Sequence, residues 1–81
     1  MKLKETIEMM QSEDYRERFK AEYYQLKIRL EKLYGMLVKH DAGTLGFTPD
    51  CSIQLLKDQL SIMRDYLYAL QVRAEIEGIE L

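Results

Sequence analysis

Apolar residues recur along this chain in two ladders of alternating three- and four-residue steps. The first runs Phe19, Tyr23, Leu26, Leu30, Leu33, Leu37, and the second Ile53, Leu56, Leu60, Met63, Leu67, Leu70, Ala74. This is the heptad spacing of one stripe on a helix that faces a partner helix. Laid antiparallel, the ladders keep a single register: Leu37 meets Ile53, Leu33 meets Leu56, Leu30 meets Leu60, Leu26 meets Met63, Tyr23 meets Leu67 and Phe19 meets Leu70. The pattern predicts an all-α fold whose centre is an antiparallel two-helix hairpin.

Local signals set the expected bounds within one domain over residues 1–81. Residues 1–11 carry Leu3, Ile7 and Met10 at helical spacing, a short N-terminal helical segment expected to dock on the hairpin or on a neighbouring subunit. Ser12, ahead of Glu13 and Asp14, is the expected cap of a helix over 13–39, with acidic side chains at the positive end of its dipole. The stretch 40–48, HDAGTLGF with its following Thr, holds Gly43 and Gly46 and reads as a loop. Thr48-Pro49-Asp50 is expected to restart the chain as a helix over 49–77, Thr capping and Pro in the first turn. Gly78 should stop it, and in the tail 78–81 either Ile79 or Leu81 should fold back on the last turn.

The second helix has one apolar stripe more than a hairpin uses. Leu55, Ile62, Ala69 and Ile76 recur every seven residues with Gln59, Tyr66 and Arg73 between them, a ladder beside the first. The first helix likewise carries Ala21, Tyr24, Ile28, Gly35 and Val38 off its hairpin stripe. An exposed apolar strip of this kind marks an interface. The expectation is a homo-oligomeric helical bundle with Tyr24, Ile28, Leu55, Gln59, Ile62, Tyr66, Ala69 and Ile76 at the contact; the alternative is that the N-terminal segment folds over one strip.

Composition sharpens this picture. In 81 residues a two-helix core is one layer deep, yet 47% of the residues are hydrophobic, so some apolar surface needs a further partner. The 12 basic and 14 acidic residues are interspersed and sum to a net charge of -2, which provides no footprint for duplex nucleic acid or an anionic membrane. Cys51 is the sole cysteine, which excludes an internal disulfide and fits a reducing compartment. The start MKLKETIEMMQ has charges in every turn and no apolar run of a signal peptide, and no stretch is long enough to span a bilayer, so a cytoplasmic protein is expected.

One segment invites chemistry. YRERFKAEYYQLK interleaves Tyr15, Phe19, Tyr23 and Tyr24 with Arg16, Arg18, Lys20 and Lys27, and aromatic faces with cations are what a nucleotide pocket needs. The plainer reading puts Phe19 and Tyr23 in the core and pairs the cations with Glu13, Glu17, Glu22 and Glu31. The antiparallel register brings Tyr66 and Arg73 to the same end of the hairpin, away from the loop. The candidate ligand set is therefore Tyr15, Phe19, Tyr23 and Tyr66 for stacking on bases, with Arg16, Lys20 and Arg73 for phosphate. His40 is placed to complement a helix C-terminus. Neither His40 nor Cys51 has the companions that a metal site or a nucleophile requires. No metal, cofactor or catalytic residue is expected, and the chain does not read as an enzyme.

The pattern Glu22-Tyr23, Leu26, Arg29, Lys32-Leu33 and Leu55-Leu56, Gln59, Leu60, Met63, Tyr66, Leu70, Arg73 resembles a family of short phage and prophage proteins related to a small open reading frame of crAss-like phages. Gln59, Tyr66 and Arg73 carry most of the information, because a hairpin core does not require them. The loop HDAGTLGFT and the Ile-Glu-Gly-Ile tail depart from the pattern. In architecture the chain is also similar to the helical-hairpin sponges, anti-CBASS and anti-Thoeris, by which phages sequester nucleotide immune signals between subunits. These resemblances imply a phage anti-defence protein of the host bacterial cytoplasm that binds a cyclic oligonucleotide or ADP-ribose derivative without catalysis. The alternatives are a protein-interaction module using the second seam, as inhibitor or adaptor, and a small structural or accessory phage protein.

Overall fold

The computed structural model describes residues 1–81; every regular element is a helix, with no strand. A single 3-10 turn, Leu3–Glu5, leads into a short helix α1, Thr6–Met10; α2 spans Tyr15–Ala42 and α3 spans Ile53–Glu77. The two long helices form the hairpin, α1 lies along α2, and the molecule measures 43 × 24 × 17 Å.

Side chains and glycines fix the helix ends. Asp14, not Ser12, caps α2, its carboxylate accepting the N–H of Arg16 at 2.9 Å, while the Ser12 hydroxyl accepts the N–H of Asp14 one step earlier. At the other end α2 continues through His40 and Asp41, beyond the expected residue 39. Gly43, at φ 77, then closes it with a Schellman pair: Gly43 N–H to His40 C=O at 3.0 Å and Thr44 N–H to Lys39 C=O at 2.8 Å. Ser52 caps α3, accepting the N–H of Leu55 at 3.1 Å. Thr48 does not cap it and Pro49 lies outside the helix; the connection is longer than the local signals implied. α3 ends on Gly78 at φ 67, and Ile79 N–H reaches the Ala74 carbonyl at 2.9 Å. That bond folds Ile79, rather than Leu81, into the core.

Burial follows the two ladders. Phe19, Tyr23, Leu26 and Leu37 of α2 and Leu60, Leu70 and Ala74 of α3 are buried, and the ladder positions between them are half-buried. Phe19, Tyr23, Leu26, Leu70, Ala74 and Ile79 make one contiguous cluster, with Met63 and Leu67 packed against it. Cross-helix contacts run in antiparallel order, from Arg73 beside Tyr15 and Gln71 beside Tyr23 to Arg64 over Tyr34 and Lys57 with Asp41. Near the loop the register differs from the expected one. Leu37 lines a cavity together with Leu60 instead of facing Ile53, because the connection runs on to Ser52 and α3 starts at Ile53, about one turn later than expected.

The N-terminal segment docks on α2 by an unexpected face. Thr6 is fully buried; its hydroxyl donates to the Leu3 carbonyl at 2.7 Å and accepts from the Gln25 amide at 3.2 Å. Ile7 and Met10 stay about half exposed, at 51% and 48%. Ala21, one turn before Gln25 on α2, is fully buried. Part of the extra α2 strip is therefore covered by the chain's own first residues.

Candidate ligand-binding site

The end of the hairpin away from the loop gathers aromatic and basic groups from both long helices. Arg73 of α3 is its hub. One guanidinium nitrogen donates to the Tyr15 hydroxyl at 2.8 Å, its Nε donates to Glu77 at 3.3 Å, and its plane lies 4.9 Å from the centre of the Phe19 ring. Tyr15 in turn donates to Glu77 at 2.7 Å, and its ring tilts against Phe19 with centroids 6.3 Å apart. Arg16 reaches across to the end of α3, donating to the carbonyls of Gly78 at 3.0 Å and Glu77 at 3.3 Å, where the helix dipole is negative.

The electrostatics match this wiring. The hydrogen bond to Glu77 holds the Tyr15 phenol above its ordinary pKa, desolvation adds to the shift, and the Arg73 charge opposes it. Partial desolvation disfavours the Arg73 charge, but attraction to Tyr15 and Glu77 outweighs it and leaves its pKa raised.

The remaining members of the sequence-derived set are placed differently. Phe19 and Tyr23 lie in the core at 2% and 6% exposure; Tyr23 meets Tyr24 edge-on at 5.1 Å, and its hydroxyl accepts from Gln71 at 3.4 Å. Lys20 pairs with Glu17 at 3.6 Å. Tyr66 presents an exposed ring and donates to Glu22. So the structure joins Tyr15, Arg16, Phe19 and Arg73 around Glu77, sets Tyr66 and Lys20 apart from them, and leaves ring surface open at Tyr15 and Tyr66. Glu77 escaped the sequence reading, although it stands four residues after Arg73, a spacing at which such pairs form on a helix.

Beside this cluster a groove of about 640 Å3 runs along the C-terminal tail, lined by Tyr23, Gln71, Ala74, Glu75, Ile79 and Glu80 among others. Its charged side chains are carboxylates, which disfavours an anion there. The second seam of α3 lies open: Leu55, Ile62, Tyr66 and Ile76 are 56%, 68%, 44% and 79% exposed, and Gln59, Ala69 and Arg73 are exposed with them. Tyr24 and Ile28 of α2 are half-buried. No three His, Cys, Asp or Glu side chains gather as a metal site would need, and no helix is long and apolar enough to cross a membrane. A family model described as Sequestin matches residues 13–76, which takes in α2, the loop and all of α3 but its last residue, Glu77. No curated protein and no solved structure matches the chain.

Proposed function

The chain belongs to the Sequestin family, and from that premise we propose that it is a phage anti-defence protein that sequesters a nucleotide-derived immune signal, a cyclic oligonucleotide or an ADP-ribose derivative, without catalysis. The observation that carries the reading is the family match across the whole hairpin, under a name that speaks of sequestering. The geometry supports it in two ways. At the open end, Tyr15 and Arg73 meet across the two helices, with Arg16 nearby. Arg73 now answers Glu77 through an exposed pair on its own helix, a kind of contact that water screens and a phosphate readily replaces. In addition, the open seam carries Tyr66 and Arg73 among its apolar residues, so a second copy docked there would bring its own rings and cations to the same place. The ligand contacts we assign are Tyr15, Tyr66, Arg16, Lys20 and Arg73 on the surface, with Phe19 and Tyr23 as the packed floor beneath them. The protein acts in the host bacterial cytoplasm as a homo-oligomer.

A thermal-shift screen of the purified protein against cyclic dinucleotides, cyclic trinucleotides and ADP-ribose-derived signals, with light scattering on the same sample, tests this. The expected result is a large shift with one class in a particle of several chains, and binding weakened about tenfold by Arg73→Ala or Tyr66→Ala. Binding that survives both substitutions unchanged would remove the open-end assignment. Turnover of any nucleotide would refute the non-catalytic reading.

The exposed Leu55, Ile62 and Ile76 favour one second reading, in which the seam takes a helix of a host or phage protein. A stoichiometric protein partner together with silence in the nucleotide screen would support it over sequestration.

A further inference from the structure

The loop end of the hairpin carries a second combination of cavity, ring and cations. Between α2 and the first turns of α3 lies a cavity of about 290 Å3. Leu37 and Leu60, 4% and 7% exposed, form its floor, and Tyr34 and Val38 of α2 its wall, each about half exposed at 48% and 49%. The Arg64 guanidinium stands over the Tyr34 ring, 5.4 Å from its centre, and the Lys57 ammonium lies on the rim 3.4 Å from Asp41.

What separates this place from the open end is the freedom of one of its cations, Arg64. There Arg73 and Arg16 are taken up by Glu77, Tyr15 and two carbonyls; here Arg64 has no carboxylate partner and its only marked contact is a π face. One carboxylate, Asp41, shares the rim. It is answered by Lys57 and by the His40 ring at 3.2 Å, so Arg64 leaves the rim with positive charge in excess. A guanidinium resting on an aromatic ring can keep that contact while turning its edge to a phosphate. The apolar floor offers a dry surface to a flat ring, and the volume lies at the lower limit for small-molecule pockets, which suits one ring system and excludes a second nucleotide.

We propose that the loop-end cavity is a binding site for a mononucleotide-sized phosphate ester of an aromatic base, the base seated beside Tyr34 over Leu37 and Leu60 and the phosphate held between Arg64 and Lys57. The ligand class rests on the sequestration reading, but the place is one which that reading does not use. The full-length, isotope-labelled protein is titrated with adenosine monophosphate, with adenosine and with inorganic phosphate, and backbone amide shifts are followed. Saturating shifts at residues 34–41 and 57–64 with the nucleotide, weaker ones with either half, and a loss of about tenfold in affinity on Arg64→Ala and on Tyr34→Ala are expected. Both side chains are exposed, so the variants should keep the helical spectrum of the parent. Shifts confined to residues 15–23 and 66–73, no saturable shift at the loop end, or an affinity unchanged in both variants would overturn the site. A signal that raises the melting temperature while adenosine monophosphate leaves the loop end silent removes this site and leaves sequestration standing. Loop-end binding without any stabilising signal in the screen does the reverse.

Discussion

Leu70 is 1% exposed and sits among Phe19, Ala74 and Ile79, which makes Leu70→Ala the sharpest probe of the hairpin. Truncation removes the buried branched end of the side chain, worth about 2 kcal/mol in transfer at roughly 0.8 kcal/mol per methylene-sized group. The cavity left behind adds to this, and the measured range for such changes is about 2–5 kcal/mol. A core one layer deep lets α2 and α3 settle toward each other, so the lower half applies, about 2.5–3.5 kcal/mol. For 81 residues the total stability expected is about 4–12 kcal/mol, of which this is a large fraction. Urea unfolding followed by helical circular dichroism, at several protein concentrations to separate assembly from folding, reads the change as a lowered midpoint at unaltered slope. Tyr68→Ala, two residues earlier and 68% exposed, is the control and should stay within about 0.5 kcal/mol. A loss under about 1 kcal/mol at Leu70, or an equal loss at Tyr68, would refute the assignment of the buried stripe.

Further outcomes are expected from the helix ends and the docked segment. Gly78→Ala forces a side chain into the left-handed region at φ 67 and should cost about 1 kcal/mol. Gly35→Ala, inside α2 with open space where its Cβ would stand, should gain about 0.5–1 kcal/mol; thermal melts of the two variants decide both, and a loss at Gly35 would signal close approach by a second copy. His40 first and then Lys57 hold the Asp41 carboxyl below its ordinary pKa, so its stabilisation is complete above the ordinary carboxylate range and is lost as pH falls through the lowered value. Asp41→Asn should therefore flatten part of the acid limb of a midpoint-against-pH curve, and an unchanged limb would refute the pairing. The Tyr15 phenol is raised, so its contribution is present below the ordinary tyrosine value and fades as pH climbs through the shifted one. Ultraviolet titration of wild type against Tyr15→Phe should show that the tyrosine removed was a late-titrating one. Thr6→Val removes the hydroxyl that Gln25 meets and should speed proteolysis ahead of Asp14, with little change in the melting of the hairpin.

The hairpin was legible because its ladders consist of bulky residues at heptad steps, and burial falls on those positions. Where reading failed, a polar group or a connection decided the matter. Counting apolar residues selected Ile7 for the docking face of α1, whereas Thr6 goes inside because Leu3 and Gln25 satisfy its hydroxyl. Thr48 and Pro49 form a plausible helix start, yet Ser52 is the residue whose hydroxyl meets the N–H three places on, and the later start moves the register near the loop. At the site, residue types pointed to Tyr15, Arg16 and Arg73, but spacing alone did not reveal that Glu77 organises them. Arg64 and Tyr34 were invisible for a related reason: they meet only in the shifted register.

The distribution of the core has a consequence for how the molecule breathes. A helical hairpin ordinarily frays from its free ends, since the loop is a covalent clasp. Here the free end holds the contiguous cluster and is tied further by Arg16 to the last turn of α3 and by Ile79 tucked under it. With one end tethered and the other locked, the slack falls at mid-length, where Leu30, Leu33, Met63 and Leu67 are only half-buried. The two rods should bow apart like a strung bow, keeping both tips closed, and a neighbour sensitive to helix curvature would feel that motion along the full length of α3.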